Sequence, residues 1–183
     1  MTKTTQSKRL FLIGFLSTIA GCASYSELPT MHDIDLHRFS GDWYVVANIP
    51  TFLEKNAFNS VESYAPPVGN KIETKFTFNQ GALDGPEKTY TPTAFVSPHS
   101  KGLWGMQFIW PIKAEYRIAY LDPEYQYTII ARSKLDYVWV MARYPDVSEP
   151  TFASLIQRVE ALGYDTNKIR RVPHHPVPLA TGH

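Results

Sequence analysis

The stretch FSGDWYVVANIP, residues 39–50, is the most informative part of the sequence. Gly41 can turn the backbone where a side chain would clash, and Trp43 then begins a β-branched and aromatic run that Pro50 closes. Trp43 and every second residue as far as Ile49 fall on one face of the predicted strand. Taken alone, this pattern is typical of a first strand with a core tryptophan.

Composition limits what the rest of the chain can be. The 183 residues suit one domain with appendages, and an aromatic content of 14% means that large planar side chains fill a core or line a cavity. Three of the 18 basic residues precede residue 22 and no acidic one does, so cleavage there leaves 15 basic against 17 acidic residues, a net charge of −2. This balance gives no electrostatic footprint for nucleic acid and no polybasic membrane patch.

Residues 1–21 have the pattern of an export signal. A basic start leads into an apolar run, residues 10–19, which is too short to span a bilayer permanently. Ile19-Ala20-Gly21-Cys22 resembles the bacterial lipobox, in which the cysteine becomes N-terminal and lipidated. The alternative is a plain signal peptide with an incidental thiol at Cys22, the only cysteine of the chain, which therefore cannot form an internal disulfide.

Lipidation at Cys22 implies a membrane partner. Acyl chains such as palmitate would be the anchor, because no later segment is long and apolar enough to be one. By the sorting pattern of bacterial lipoproteins, Ala23 rather than aspartate after the cysteine indicates the outer membrane of a Gram-negative bacterium, on its periplasmic face. Residues 22–38 then form a mostly irregular tether, whose histidines we interpret as solvated and not as metal ligands, and residues 173–183 form a flexible tail. No metal or cofactor is predicted.

Eight strand-like runs at hairpin spacing follow one another with no helix between them, which predicts an antiparallel meander. Pro92 inside the fourth run indicates an edge, a bulge or a bend. After the eighth run the period changes: Ser148 can cap a helix whose apolar face recurs every three or four residues up to a stop at Gly163, and residues 169–172 can add a short strand. The runs are residues 41–49, 58–65, 71–79, 89–97, 103–110, 115–121, 125–132 and 137–144.

Eight up-and-down antiparallel strands tend to close, because closure removes unpaired edges. We therefore predict an all-β, eight-stranded antiparallel up-and-down barrel with one C-terminal α-helix packed on the outside, spanning residues 39–172. A barrel of this size can hold one small ligand or be filled by its own side chains.

Three segments resemble the conserved regions of the lipocalins. They are Gly41-Asp42-Trp43-Tyr44 at the first strand, residues 121–125 (LDPEY) at a later turn, and residues 137–143 (YVWVMAR) at the last strand. The resemblance covers about residues 36–172. With the lipobox, it points to the bacterial lipocalins, outer-membrane lipoproteins related to apolipoprotein D and the plant temperature-induced lipocalins.

This resemblance implies structural roles for three residues. In lipocalins the tryptophan of the G-x-W motif closes the barrel floor and the late arginine packs across it. Carried over, Gly41, Trp43 and Arg143 form the barrel closure, with the cation lying on the indole face. None of the three is expected to do chemistry.

The resemblance also implies a ligand site on the inward faces of the strands. The expected ligand is a fatty acid or a lysophospholipid, held for lipid transport or storage in the cell envelope. The alternative is that some of these side chains are core plugs or lie under the helix, since a bulge shifts the phase of every later residue. The candidates are Trp139, Phe108, Met106, Trp104, Phe76, Phe78, Phe95 and Tyr116.

Two charged residues are added to these candidates. By register with relatives, Glu62 and Arg117 could both face inward as a carboxylate–guanidinium pair near which a lipid headgroup binds. The alternative is that both lie on the outer wall. A lone buried charge is costly, so if one is inside, a partner is expected there too.

Two other functions remain open at this level. An envelope lipid-modifying enzyme is disfavoured because the sequence has no G-x-S-x-G elbow, Cys–His pair, zinc spacing or glycine-rich phosphate loop. A structural or interaction lipoprotein with a filled barrel is compatible with the aromatic bulk. The sequence leaves both a monomer and a homodimer open.

Overall fold

The computed structural model describes residues 28–176. Its strands are β1 (Gly41–Ile49), β2 (Ala57–Tyr64), β3 (Lys71–Gln80), β4 (Glu87–Tyr90), β5 (Thr93–Ser97), β6 (Ser100–Ile109), β7 (Ile112–Leu121), β8 (Tyr127–Ala131), β9 (Val138–Ala142) and β10 (Arg170–Arg171). The helices are α1 (Leu36–Phe39), α2 (Glu149–Ala161) and a 3₁₀ turn, Thr166–Lys168.

The strands close into a barrel. Neighbouring strands along the order β1-β2-β3-β5-β6-β7-β8-β9 pair antiparallel, and β1 also pairs with β9 to complete the ring. β4 and β5 both pair with β3, and together they are the fourth strand expected from the sequence, interrupted at Pro92. The ring therefore has eight strand positions, which confirms the predicted eight-stranded antiparallel barrel.

The C-terminal segment extends the sheet at the open end of the barrel. β2 pairs with β1 only from Gly41 to Tyr44, and further along β1 its place is taken by β10, which pairs with Ala47 and Asn48. The amide of Asn59 donates to the carbonyl of Pro173 at 2.7 Å, so the chain past β10 lies against β2. The predicted last strand thus exists, and it seals the gap between two diverging strands.

Helix α2 packs on the outside of the barrel, as predicted. Ser148 caps it by accepting from the amide of Thr151, and Leu155 and Val159 are its buried residues. They pack in a second apolar core with the outward-facing side chains of β1, β8 and β9, separate from the core inside the barrel. Within residues 28–176 no helix is long and apolar enough to cross a bilayer.

The predicted tether and tail both reach the barrel wall where they are described. The amide of Met31 donates to the carbonyl of Ile118 at 2.9 Å, and the carbonyl of His32 accepts from the amide of Lys101 at 3.1 Å. His174 contacts the carbonyl of Val45 through Nε2 at 2.9 Å. These parts of the chain are therefore packed and not free in solvent, because their backbone groups pair with strands. The predicted signal peptide, Cys22 and the last part of the tail lie outside the described residues.

Candidate functional site

The barrel is shut at the end where β1 begins. Trp43 is fully buried, and its Nε1 donates to the carbonyl of Phe39 at 2.8 Å. The guanidinium of Arg143 lies 3.9 Å from the centre of the Trp43 ring and donates to backbone carbonyls of residues 38, 39, 42 and 125. Burial lowers the pKa of Arg143, and the four carbonyls stabilise the charge that remains.

Gly41 allows the chain to enter the floor. Its φ is +94°, a left-handed conformation that side chains disfavour. An added Cβ would also contact Nη1 of Arg143 at 3.5 Å. The glycine of the motif therefore serves the turn from α1 into β1.

Aromatic side chains fill the barrel directly above this floor. The ring of Phe39 lies 5.3 Å from that of Tyr64 and 5.4 Å from that of Trp104. Trp104 stacks in turn on Tyr116 at 5.4 Å, with an interplanar angle of 9°. The closed half of the barrel is thus packed with side chains, and the apolar cavity within residues 28–176 lies in the half that opens where β1 ends.

The open half contains a cavity of about 300 Å³ lined mainly by apolar side chains. This lies at the lower end of the usual range for small-molecule sites. Six of the ten residues predicted from the sequence line it: Glu62, Phe76, Met106, Phe108, Tyr116 and Trp139.

Two other candidates share the interior but not the cavity. Trp104 belongs to the aromatic packing beneath it, with Nε1 donating to the carbonyl of Lys101 at 2.6 Å. Phe78 packs between Phe76, at 5.2 Å, and Tyr90, at 6.2 Å. Alternation predicted the correct face for both residues, but it carries no information about depth along the barrel axis.

The last two candidates are on the outer wall. For Phe95 this corrects the prediction, and for Arg117 it is the second of the two placements that the sequence left open. Phe95 lies under the ammonium of Lys113, 3.6 Å from its ring centre, while its neighbours in β5, Ala94 and Val96, are buried inside. The break at Pro92 sets the phase of β5, and this phase cannot be counted across the break. Arg117 is bound outside by Glu115, at 3.0 Å, and by the carbonyl of Leu28, at 3.2 Å.

Glu62 therefore faces the cavity without the expected arginine. Its partners are two tyrosines: Tyr64 donates to Oε2, and so does Tyr116 at 3.2 Å. The two phenolic oxygens are also in hydrogen-bond contact with each other. Burial raises the pKa of Glu62 to about 7, against the opposing effect of the tyrosine hydrogen bonds, and burial beside this carboxyl raises the pKa of both tyrosines well above the usual value.

Glu54 organises the mouth of the cavity, and sequence reasoning missed it. Its carboxylate accepts from Nε1 of Trp139 at 2.7 Å and from the amide and hydroxyl of Thr51 at 2.9 and 2.6 Å. Arg170 donates to the carbonyl of Glu54 at 2.6 Å. The loop between β1 and β2 is thereby fastened to β9 and β10. The Thr-x-x-Glu spacing of residues 51–54 is typical of a capping box, and it is the signal that could have indicated the contact between Thr51 and Glu54.

Apolar side chains surround the mouth on its outer side. Phe52 in the loop after β1 is 76% exposed, and Trp110 at the tip of the β6–β7 hairpin is 82% exposed. Phe108, Ile109 and Ile112 beside that tip are also exposed. Exposed apolar clusters of this kind mark surfaces that meet another apolar phase or partner.

Three further charged residues, Lys75, Glu115 and Arg132, line the cavity. Arg132, which follows β8 at the open end, lines the cavity mouth, and its Nη1 pairs with Asp136 at 3.3 Å. No group of three or more His, Cys, Asp or Glu side chains in residues 28–176 is arranged to hold a metal ion.

Comparisons with known proteins agree with this geometry. The lipocalin-like domain family matches residues 34–174. The outer membrane lipoprotein Blc of Vibrio cholerae is 25% identical over 88% of this chain and 96% of its own length. Temperature-induced lipocalin-1 of Arabidopsis thaliana is 24% identical over 83% of this chain and 86% of its own. Insecticyanin of the tobacco hornworm Manduca sexta has the same fold, with a TM-score of 0.64 at 15% identity over 81% of this chain and 85% of its own.

The strands form a meander barrel with one end packed by aromatic rings and the other opening into an apolar cavity. With the family match across most of its length, the chain belongs to the lipocalin family. The homologues named outer membrane lipoprotein place it beside the bacterial branch of that family.

Proposed function

We propose that this protein is a membrane-anchored lipid-binding lipocalin that holds the acyl chain of a fatty acid or lysophospholipid in the open half of its barrel. The observation that carries this proposal is the apolar cavity of about 300 Å³. Each methylene removed from water there contributes about 0.8 kcal/mol. Transport or storage of lipid in the cell envelope is the proposed role, and binding alone requires no catalysis.

The proposed ligand orientation follows from the charges at the two ends of the cavity. Arg132 lines the mouth together with Glu54, whose carboxylate already accepts from Thr51 and Trp139, whereas the carboxyl of Glu62 lines the inner end. A carboxylate or phosphate headgroup is favoured beside a cation and disfavoured beside a buried carboxyl. The acyl chain therefore inserts with its tail first, and the headgroup stays at the mouth near Arg132.

The anchor is proposed to lie on the same side as the mouth. Leu28 is bound to the outer face of the barrel about halfway along β7. There the guanidinium of Arg117 donates to the carbonyl of Leu28 and to the hydroxyl of Ser133, which lies in the β8–β9 loop at the open end of the barrel. From Leu28 the chain runs towards the closed end, where the amide of Asp35 donates to Tyr125. Cys22 lies six positions before Leu28, and six steps along the chain can span at most about 20 Å. An anchor at Cys22 therefore lets the exposed apolar residues of the mouth reach the same outer-membrane leaflet.

A titration tests binding directly. The full chain, exchanged into an amphipathic polymer that supplies no single-chain competitor, is titrated with dodecanoic acid while tryptophan emission is followed. We expect saturable binding that Ala114→Phe abolishes, because Ala114 lines the cavity and the added ring occupies it. Ala153→Phe is the matched control, since Ala153 is exposed on α2.

The competing function is that of a filled-barrel structural or interaction lipoprotein. The aromatic packing of Phe39, Trp43, Tyr64 and Trp104 in the closed half favours it. In that case, neither dodecanoic acid nor a lysophospholipid changes the emission, and Ala114→Phe behaves as the wild type does.

A further inference from the structure

The inner end of the cavity carries a polar cluster formed by Glu62, Tyr64 and Tyr116. Glu62 pairs in register with Trp43 of the floor on one side and with Phe76 on the other, so it lies where the aromatic packing ends and the cavity begins. Its carboxyl is enclosed by protein on the remaining sides, and it lines the cavity.

The hydrogens of this cluster are all used within it. Tyr64 and Tyr116 have one O–H each, and both O–H groups are directed at Oε2 of Glu62 or at one another. The other carboxylate oxygen, Oε1, has no hydrogen-bond partner within residues 28–176. Oε1 is also not fully enclosed by protein atoms, and a ligand in the cavity can therefore reach it. When Glu62 is ionised, the cluster therefore presents acceptors and no donor to a ligand.

The other charged residues that line the cavity are two carboxylates, Glu54 and Glu115, and two cations, Lys75 and Arg132. Glu54, in the loop above, adds negative charge that acts on Glu62 in the same direction as burial. Arg117 on β7 faces outward and Arg132 stands at the mouth, and neither donates to Glu62. The strands β3, β6 and β9 contribute Phe76, Met106 and Trp139 to the cavity lining.

We infer that the cavity selects amphiphiles whose inserted end carries a hydrogen-bond donor, a hydroxyl or an ammonium group, which binds to the free carboxylate oxygen of Glu62. This inference rests on the proposed function, since it names which acyl ligands the same cavity prefers. A plain acyl chain brings a methyl group against Oε1 and removes water from it without replacing the hydrogen bond. A terminal donor replaces that bond.

Matched ligands test the inference without any substitution. The full chain in amphipathic polymer, at a pH of about 8, where the carboxyl is ionised, is titrated with four ligands of equal chain length. These are dodecanoic acid and its ω-hydroxy, ω-methoxy and ω-amino forms. We expect the ω-hydroxy acid to bind roughly tenfold or more tightly than the ω-methoxy acid, because only the former donates. The ω-amino acid shows whether an ammonium group is the better donor.

Glu62→Gln then links the preference to this residue. The amide oxygen can accept from the tyrosines while its NH₂ group faces the cavity, so the hydroxy-to-methoxy preference falls to near onefold. Glu73→Gln, the same change on the exposed outer face of β3, leaves it intact.

These titrations distinguish failure of the inferred donor preference from failure of the proposed lipid binding. Equal affinity for the ω-hydroxy and ω-methoxy acids, or a preference unchanged in Glu62→Gln, overturns this inference while the proposed lipid binding stands. Failure of all four ligands to bind overturns the proposed function itself. If Glu62→Gln does not fold, the comparison of ligands on the wild-type chain still decides.

Discussion

Arg143 and Trp43 share one acceptor, because the indole nitrogen and the guanidinium both donate to the carbonyl oxygen of Phe39 while the cation lies 3.9 Å from the indole centre. The two residues are far apart in sequence, and together they join the first and last strands of the barrel at its floor. The motif residues therefore act as a closure that links the α1–β1 turn to the end of β9.

Replacing Arg143 by alanine is expected to destabilise the protein by about 3 kcal/mol, because the backbone carbonyls of residues 38, 39 and 42 lose a charged donor. Arg143→Lys recovers only part of this, since an ammonium cannot span those acceptors. Urea unfolding measures both. Arg158→Ala is the control: Arg158 lies 4.2 Å from the Tyr120 ring on the surface, and its loss should cost less than about 1 kcal/mol. Equal costs at the two arginines contradict the closure.

Glu62 makes stability depend on pH. Its pKa rises from an ordinary 4.5 to about 7 on folding, so the folded state binds its proton more tightly than the unfolded state does. The contribution of Glu62 to the free energy of unfolding is fully present below a pH of about 4.5, and it is lost as the pH rises through about 7. As the pH rises across this window, the free energy of unfolding of Glu62→Gln should increase by up to about 3 kcal/mol relative to that of the wild type.

Urea unfolding of the wild type, Glu62→Gln and Glu73→Gln at several pH values measures this effect. Glu73 is exposed on β3, so its substitution should leave the pH profile of the wild type unchanged. A constant difference in unfolding free energy between wild type and Glu62→Gln from acidic to alkaline pH refutes a raised pKa.

Alternation along strands predicted the face of most site candidates, and resemblance predicted the closure of Trp43 by Arg143. In β1 itself alternation failed, because a bulge between Val45 and Ala47 puts Ala47 and Ile49 in the core under α2 and not on the face of Trp43. Neither could predict depth, so Trp104 was expected beside the ligand but belongs to the packing beneath it. Neither could predict the phase of β5, which begins at Thr93 directly after the break at Pro92, and Phe95 points outward as a result.

Partners were harder to predict than faces. The sequence left open whether Glu62 pairs with Arg117 inside the barrel or lies on the outer wall. The tyrosines that bind Glu62 come from its own strand and from β7, and this contact depends on a register that no local pattern reveals. Glu54 was missed because its role depends on Trp139, which is distant in sequence.

Trp139 is expected to be the reporter of ligand binding. It lines the cavity, whereas Trp43 and Trp104 are packed below it. Trp139→Phe should therefore remove most of the emission change on titration with dodecanoic acid. Trp110→Phe, at the exposed hairpin tip, is the matched control and should retain it. A response that persists in Trp139→Phe and disappears in Trp110→Phe locates binding on the outer surface instead.

Cys22→Ala should release the protein from the membrane fraction, because the proposed anchor is the set of acyl chains on that residue. Ser24→Ala, two residues further on and outside the lipobox, should leave the protein in the membrane. Fractionation with immunoblotting measures both. Retention of Cys22→Ala in the membrane fraction at the wild-type level rules out lipidation as the anchor.

The most direct test of the central claim is the lipid that accompanies the protein from its own cell. The full chain is purified from native membranes, and non-covalent lipid is extracted with organic solvent and quantified by mass spectrometry. A bound acyl lipid should be recovered with the wild type and with Ala153→Phe, and it should fall sharply in Ala114→Phe, whose new ring occupies the cavity. Equal recovery of lipid from all three proteins would contradict an acyl-binding barrel.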